Sequence, residues 1–136
     1  MKTAKCAAAM IDILSTALNI TVTLGLPEIG RTKIALPTGA LQFREDAYGV
    51  QRAKRLGEVP AAGFADRFVG YVLAKNEAQL LSYVDALRDL KATCSSVTLD
   101  SKPYIVRWSE TRRSEIIEGA AEFDFCIEFD VIVSQS

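Results

Sequence analysis

The chain has no histidine among its 136 residues. That absence removes Ser–His–Asp and Cys–His catalysis, imidazole metal ligands and imidazole general bases. Cysteine is scarce as well. Cys6, Cys94 and Cys126 form no CxxC pair, and their odd number fits neither a disulfide framework nor a zinc site. They read as small buried hydrophobes in a reducing compartment. No window approaches 18 uncharged apolar residues, so no segment reads as a membrane span. The stretch from Met1 to Leu18 begins like a signal peptide, with Lys2, Lys5 and Ala7 to Met10. Asp12 interrupts its apolar run and no small-residue cleavage site follows, so the expectation is a protein made and folded in a cytoplasm.

Excess charge is also missing. Sixteen basic residues stand against 17 acidic ones, net −1, which excludes a whole-domain basic footprint for nucleic acid. Apolar residues at 49% and charged residues at 24% exclude disorder by composition. No GxGxxG, GxxxxGK[ST], GxSxG, HExxH or EF-hand loop is present, and Ser95, Ser96 and Ser114 sit in no nucleophile elbow. The sequence therefore offers no catalytic residue, no metal ligand set and no cofactor site, and the expectation is a protein that is not an enzyme.

What is present suits one domain over 1–136, long enough to bury roughly two-thirds of its unfolded surface. Residues 3–18 read as an amphipathic helix, with Ala7, Met10, Ile11, Leu14 and Leu18 on one face, Thr3 as N-cap and Asn19 as stop. Residues 20–26 alternate apolar residues with Thr at strand period. Pro27, Gly30, Pro37 and Gly39 place turns around a short strand from Lys33 to Leu36, and Leu41 to Phe43 read as another brief strand. Residues 44–63, with Gly49, Gly57, Pro60 and Gly63, keep no period, and a loop that long inside a compact domain is usually functional or disordered until bound. A strand is expected over 66–74. Asn76 then caps a helix to about Leu90, with Gln79 completing a capping box and Leu80, Leu81, Val84, Leu87 and Leu90 as its apolar face. Residues 95–100 and 103–109 read as strands joined by a turn, 110–121 as a helical turn or a hairpin loop, and 122–133 as a strand. The order implies an α+β fold: two helices packed on one face of a mostly antiparallel β-sheet, with a long loop or hairpin at about 44–63.

The last strand carries the most information. Phe123, Phe125, Ile127, Phe129, Val131 and Val133 occupy odd positions, and Glu122, Asp124, Glu128 and Asp130 even ones. Side chains alternate faces along a strand, so one face is an apolar wall for the helices and the other carries four carboxylates. Neighbours on that face lie about 7 Å apart, so they repel unless the face stays wet or meets cations. Residues 115–130 hold six acids and no base, a local −6. Residues 31–55 hold Arg31, Lys33, Arg44, Arg52, Lys54 and Arg55 against Glu45 and Asp46, a local +4. A nearly neutral chain with charge so segregated is suited to pair head to tail with copies of itself, and such a contact closes into a ring where the rotation allows. Solvated surface within one monomer is the plainer reading of the same stretches. General acid–base use of the carboxylates needs a cleft and a raised pKa, which a flat strand face does not supply. Tyr104 and Trp108, beside Arg107, are an aromatic strand pair of the kind that stacks bases but more commonly fills a core. Arg112 and Arg113 are a surface pair suited to phosphate or to a neighbouring acid.

The layout resembles that of a known family. A short N-terminal helix precedes the Pro-bearing segment Ile34 to Pro37 and a long variable loop. Then follow the strand Arg67 to Leu73, the helix with Ala78, Leu80, Leu81, Val84, Ala86 and Leu87, and the aromatic-acidic strand Phe123 to Phe129. This order and texture are similar to those of the tail terminator (tail completion) proteins of tailed bacteriophages, over most of the chain and without a diagnostic motif. The resemblance implies a virion protein, assembled in the host bacterial cytoplasm. It forms a homo-oligomeric ring, a hexamer in that family, which caps the tail tube, stops its polymerisation and joins tail to head. Its partners would be its own copies, the tail tube protein and the head–tail connector protein, with DNA passing the lumen without specific binding and no membrane involved. The 44–63 loop would project toward tube or head, and residues 110–121 have no obvious counterpart in the family. Glu122, Asp124, Glu128 and Asp130 would then either meet Arg52, Lys54 and Arg55 of the next subunit or line the lumen. The competing readings are another phage head–tail connector or baseplate ring protein, and a small ferredoxin-like binding domain.

Overall fold

A computed structural model describes residues 2–25, 35–45, 65–114 and 125–135. The fold is α+β, as the periodicities imply. Helix α1 (Lys2–Leu18) and helix α2 (Glu77–Thr93) share one sheet with seven strands: β1 (Val22–Leu24), β2 (Thr38–Glu45), β3 (Ala65–Leu73), β4 (Ser96–Leu99), β5 (Lys102–Trp108), β6 (Arg112–Arg113) and β7 (Cys126–Gln135). Their order across the sheet is β1-β2-β3-β7-β5-β4, with β6 also on β7. Among the described residues β1 and β2 pair in parallel and the other pairs are antiparallel.

Local chemistry sets the boundaries. Helix α1 buries Cys6, Ala7, Met10, Leu14 and Leu18 at three- and four-residue steps. It ends at Asn19, whose left-handed φ of 53° suits the short polar side chains that tolerate that region. Thr3 lies inside the helix rather than capping it. Helix α2 starts where expected: the Asn76 side chain accepts from the Gln79 amide at 2.8 Å, and Gln79 Oε1 accepts from the Lys75 amide at 2.7 Å. It runs to Thr93, three residues beyond the expected stop. Its inner face is Leu80, Tyr83 and Leu87, while Leu81 points outward at 54% exposure, one helical position away from the stripe expected. Asp100 and Ser101, with φ of 51° and 65°, make the two-residue turn joining β4 to β5, the left-handed pair that matches strand twist.

Strand β2 is longer than the Leu41–Phe43 expected, because it pairs from Thr38 onward with β3 on one side and β1 on the other. Ala35 and Leu36 form no strand, and residues 33–34 lie outside the described set. The Leu36–Pro37 peptide is cis. Residues 110–111 and 114 flank β6 and are not helical, and residues 115–121 lie outside the described set. The core fills the space between the helices and the facing side of the sheet: Leu41, Phe68, Val72, Tyr104, Val106, Trp108, Ile127, Phe129, Val131 and Val133 meet the apolar faces of α1 and α2. Tyr104 and Trp108 are thus core residues, and Trp108 Nε1 donates to the Cys94 carbonyl at 2.7 Å. The ring of Phe129 lies over Gly70, where an added Cβ would fall 2.3 Å from its Cζ, so only glycine fits opposite it. No described helix is long and apolar enough to cross a membrane.

Candidate functional site

The register assigns every residue of β7 to a face. Ile127, Phe129, Val131 and Val133 turn to the helices, each at most 3% exposed; Cys126, Glu128, Asp130 and Ile132 turn away. Position 129 is therefore wall and 130 is surface, as alternation predicts. The second face differs from the four-carboxylate surface that β7 alone suggests. Glu122 and Asp124 lie outside the described residues, as do Arg52, Lys54 and Arg55. Glu128 and Asp130 meet cations within the same chain. Arg67 on β3 donates to Asp130 Oδ2 at 3.0 Å, while Arg112 on β6 reaches Glu128 at 3.3 Å and Asp130 at 3.4 Å. Arg107 on β5, opposite Ile132, shares that face and is exposed. On this face Arg67, Arg107 and Arg112 surround Glu128 and Asp130.

Arg112 reaches this face through an extra residue. Trp108 pairs with Val131, but Arg112 pairs with Glu128, so four steps on one strand match three on the other. Ser109 holds the irregularity: its amide donates to the Asp130 carbonyl at 2.9 Å, and its hydroxyl accepts from the Asp130 amide at 2.8 Å and donates to the Glu110 carbonyl at 3.0 Å. Without this break in register Arg112 would fall opposite Ile127, on the helix side. With it, Arg113 takes that side and pairs with Glu77 in the first turn of α2. Of the two partners open to Arg112 and Arg113, phosphate or acid, the structure supplies acids to both.

Beside this cluster lies a small apolar one. Ala40, Val69, Tyr71, Leu73 and Cys126 are 1–3% exposed, with Leu36 against them. Burial raises the Tyr71 hydroxyl above its ordinary 10.0, and Glu128, its cross-strand partner, adds to the shift while Arg44 and Arg112 oppose it. Burial also pushes the Cys126 thiol up to about 11, with the nearby Ser114 hydroxyl opposing the shift and Glu128 adding to it. Cys6 on the helix side is likewise pushed up to about 11, by burial first and by Asp66 second. All three cysteines are free thiols; Cys6 and Cys126 are buried and Cys94 partly so. A thiol so protonated is a poor nucleophile. Among the described residues no group of three His, Cys, Asp or Glu side chains could hold a metal ion.

Sequence reasoning missed Arg67 as a partner of Asp130, and Ser109. Arg67 is 63 positions away and becomes a neighbour only through the β3–β7 pairing. Ser109 gave no signal of its own. Comparison of the chain with protein-family models and with curated proteins finds no match.

Proposed function

We propose that this chain is a structural virion protein of a tailed bacteriophage, a tail-terminator-like subunit. In this reading it closes into a homo-oligomeric ring at the head-proximal end of the tail tube, ends tube polymerisation and joins tail to head. Its partners are its own copies, expected to number six by the resemblance, the tube protein and the head–tail connector protein. DNA passes through the lumen without specific binding.

The observation that carries this reading is a polarity in the sheet. The connection bearing Arg52, Lys54 and Arg55 leaves β2 at Glu45 and re-enters β3 at Ala65, at the end where Ala65 pairs with Ser134. The connection bearing Glu115, Glu118, Glu122 and Asp124 joins β6 to β7 at the opposite end, where Arg113 pairs with Ile127. Strand rise separates the two anchor points by roughly 25–30 Å. A subunit with cations anchored at one end and anions at the other is suited to a heterologous contact, the type that builds rings. Because Glu128 and Asp130 already pair with Arg67 and Arg112 in the same chain, this reading assigns the contact between these two ends to the acids of the 115–124 stretch. Among the described residues the element order is one helix, three strands, one helix and four strands, whereas a ferredoxin-like domain runs β-α-β-β-α-β.

The test is the mass of the purified protein by light scattering across salt, with negative-stain images, on the natural chain and on Glu122→Lys/Asp124→Lys. Closed rings that loosen at high salt and fail in the variant are expected. Rings that survive in the variant would move the acidic stretch from the interface to the lumen. A monomer at every salt concentration that purified tail tubes also fail to recruit would overturn the reading.

A further inference from the structure

Among the described residues the unpaired carboxylates stand on the helices, while unpaired cations stand on both layers, Arg88 on α2 and Arg107 on β5. Lys5, Glu77, Lys91, Asp100, Glu110, Arg112, Arg113, Glu128, Asp130 and Arg67 all have ionic partners. Among the described residues the carboxylates that make no ion pair are Asp12, Asp85 and Asp89, and all three stand on the helices. On the far side of the sheet, Arg107 is exposed and makes none, and it sits between Ile105 and Ile132, both only partly buried. Helix α2 presents the reciprocal pattern. Leu81 is 54% exposed, Asp85 follows one turn on, and Asp89 one turn further. An apolar knob with two free carboxylates thus stands on one layer, and an apolar seat with a free guanidinium on the other.

We propose that the sheet face around Arg107 is a docking surface for helix α2 of a second copy. Leu81 of one copy seats against Ile105 and Ile132 of the next, and Arg107 pairs with Asp85 and Asp89. The two patches differ and lie on opposite layers, so the contact is front-to-back and leaves each copy one unused knob and one unused seat. It propagates until it closes. This rests on the ring reading for its closure, though not on pairing between the 46–64 and 115–124 stretches.

The experiment is a cysteine crosslink in the full chain. Asp85→Cys and Arg107→Cys are combined in one protein, oxidised, and run denatured without reductant. Both positions are exposed, so the fold is retained, which far-ultraviolet circular dichroism checks. A ladder of species that stops at the ring order supports the contact and the ring together. A ladder without a stop supports the contact and overturns the ring. Rings by light scattering with no ladder overturn the contact and leave the ring reading standing. Dimers alone overturn the contact too, because a two-fold interface would produce them. In parallel, Arg107→Asp should weaken association by about tenfold or more, and adding Asp85→Arg with Asp89→Arg should restore it. No loss in the single variant, or no rescue in the swap, overturns the pairing.

Discussion

The two faces of strand β7 are built from the same ten residues but by different rules. The helix side is a set of like residues, where Ile127, Phe129, Val131 and Val133 need only be apolar and the right size. The far side is a set of unlike ones: Glu128 and Asp130 are tolerable because Arg67 and Arg112 arrive from two other strands. Burial is additive and local, so the first face can be read from one strand. Charge is pairwise and long-range in sequence, so the second cannot.

The sharpest way to break the comparison is on the helix side. Phe129→Ala should cost about 3–5 kcal/mol in urea unfolding, since the ring is 2% exposed and its cavity cannot collapse fully. Gly70→Ala should cost about 1–3 kcal/mol in the natural chain through overlap with that ring, and distinctly less once Phe129 is Ala. If the two costs simply add, the ring does not constrain Gly70. On the far side, Asp130→Asn should cost about 1–2 kcal/mol by leaving Arg67 and Arg112 less compensated at a half-exposed site. A loss equal to that of Phe129→Ala would mean the cluster is a second core rather than a neutralised surface. Ser109→Ala should cost about 1 kcal/mol, because the Asp130 amide loses its acceptor.

The thiols sharpen the comparison through pH, since Cys6 lies on one face and Cys126 on the other. Both ordinary values of 9.0 are raised to about 11 in the fold. The unfolded chain therefore gives up these protons first. Their contribution to stability is full below about pH 9 and is lost as pH rises toward about 11. The expected result is a falling denaturation midpoint over that window, with Cys6→Ala and Cys126→Ala each removing part of the fall. A flat midpoint would show that neither thiol is shielded.

Most of the fold was legible because it rests on periodicity. Met10 and Leu14, the Asn76–Gln79 cap and the odd residues of β7 announce their roles locally. Leu81 was misplaced because Tyr83, an amphipathic side chain, took the inward position that a leucine count gives to Leu81. The expected strand stops short of Thr38 because Pro37 and Gly39 flank it and have low strand propensity, and pairing on both sides overrides them. The site was legible only in half. Glu128 and Asp130 stand out by alternation, but their partners are fixed by register, and the register near Arg112 depends on one residue that breaks the count.

That residue has a consequence for how the gene can vary. Between Trp108 and Arg112, chain length is uncoupled from register, so the loss of one codon at Thr111 would straighten the strand and still leave Arg112 opposite Glu128. One codon lost between Cys126 and Val133 would instead turn every residue on one side of the gap over, sending carboxylates into the helices. Two deletions with the same effect on length would thus have opposite fates, one absorbed as silently as a synonymous change and the other lethal to the fold.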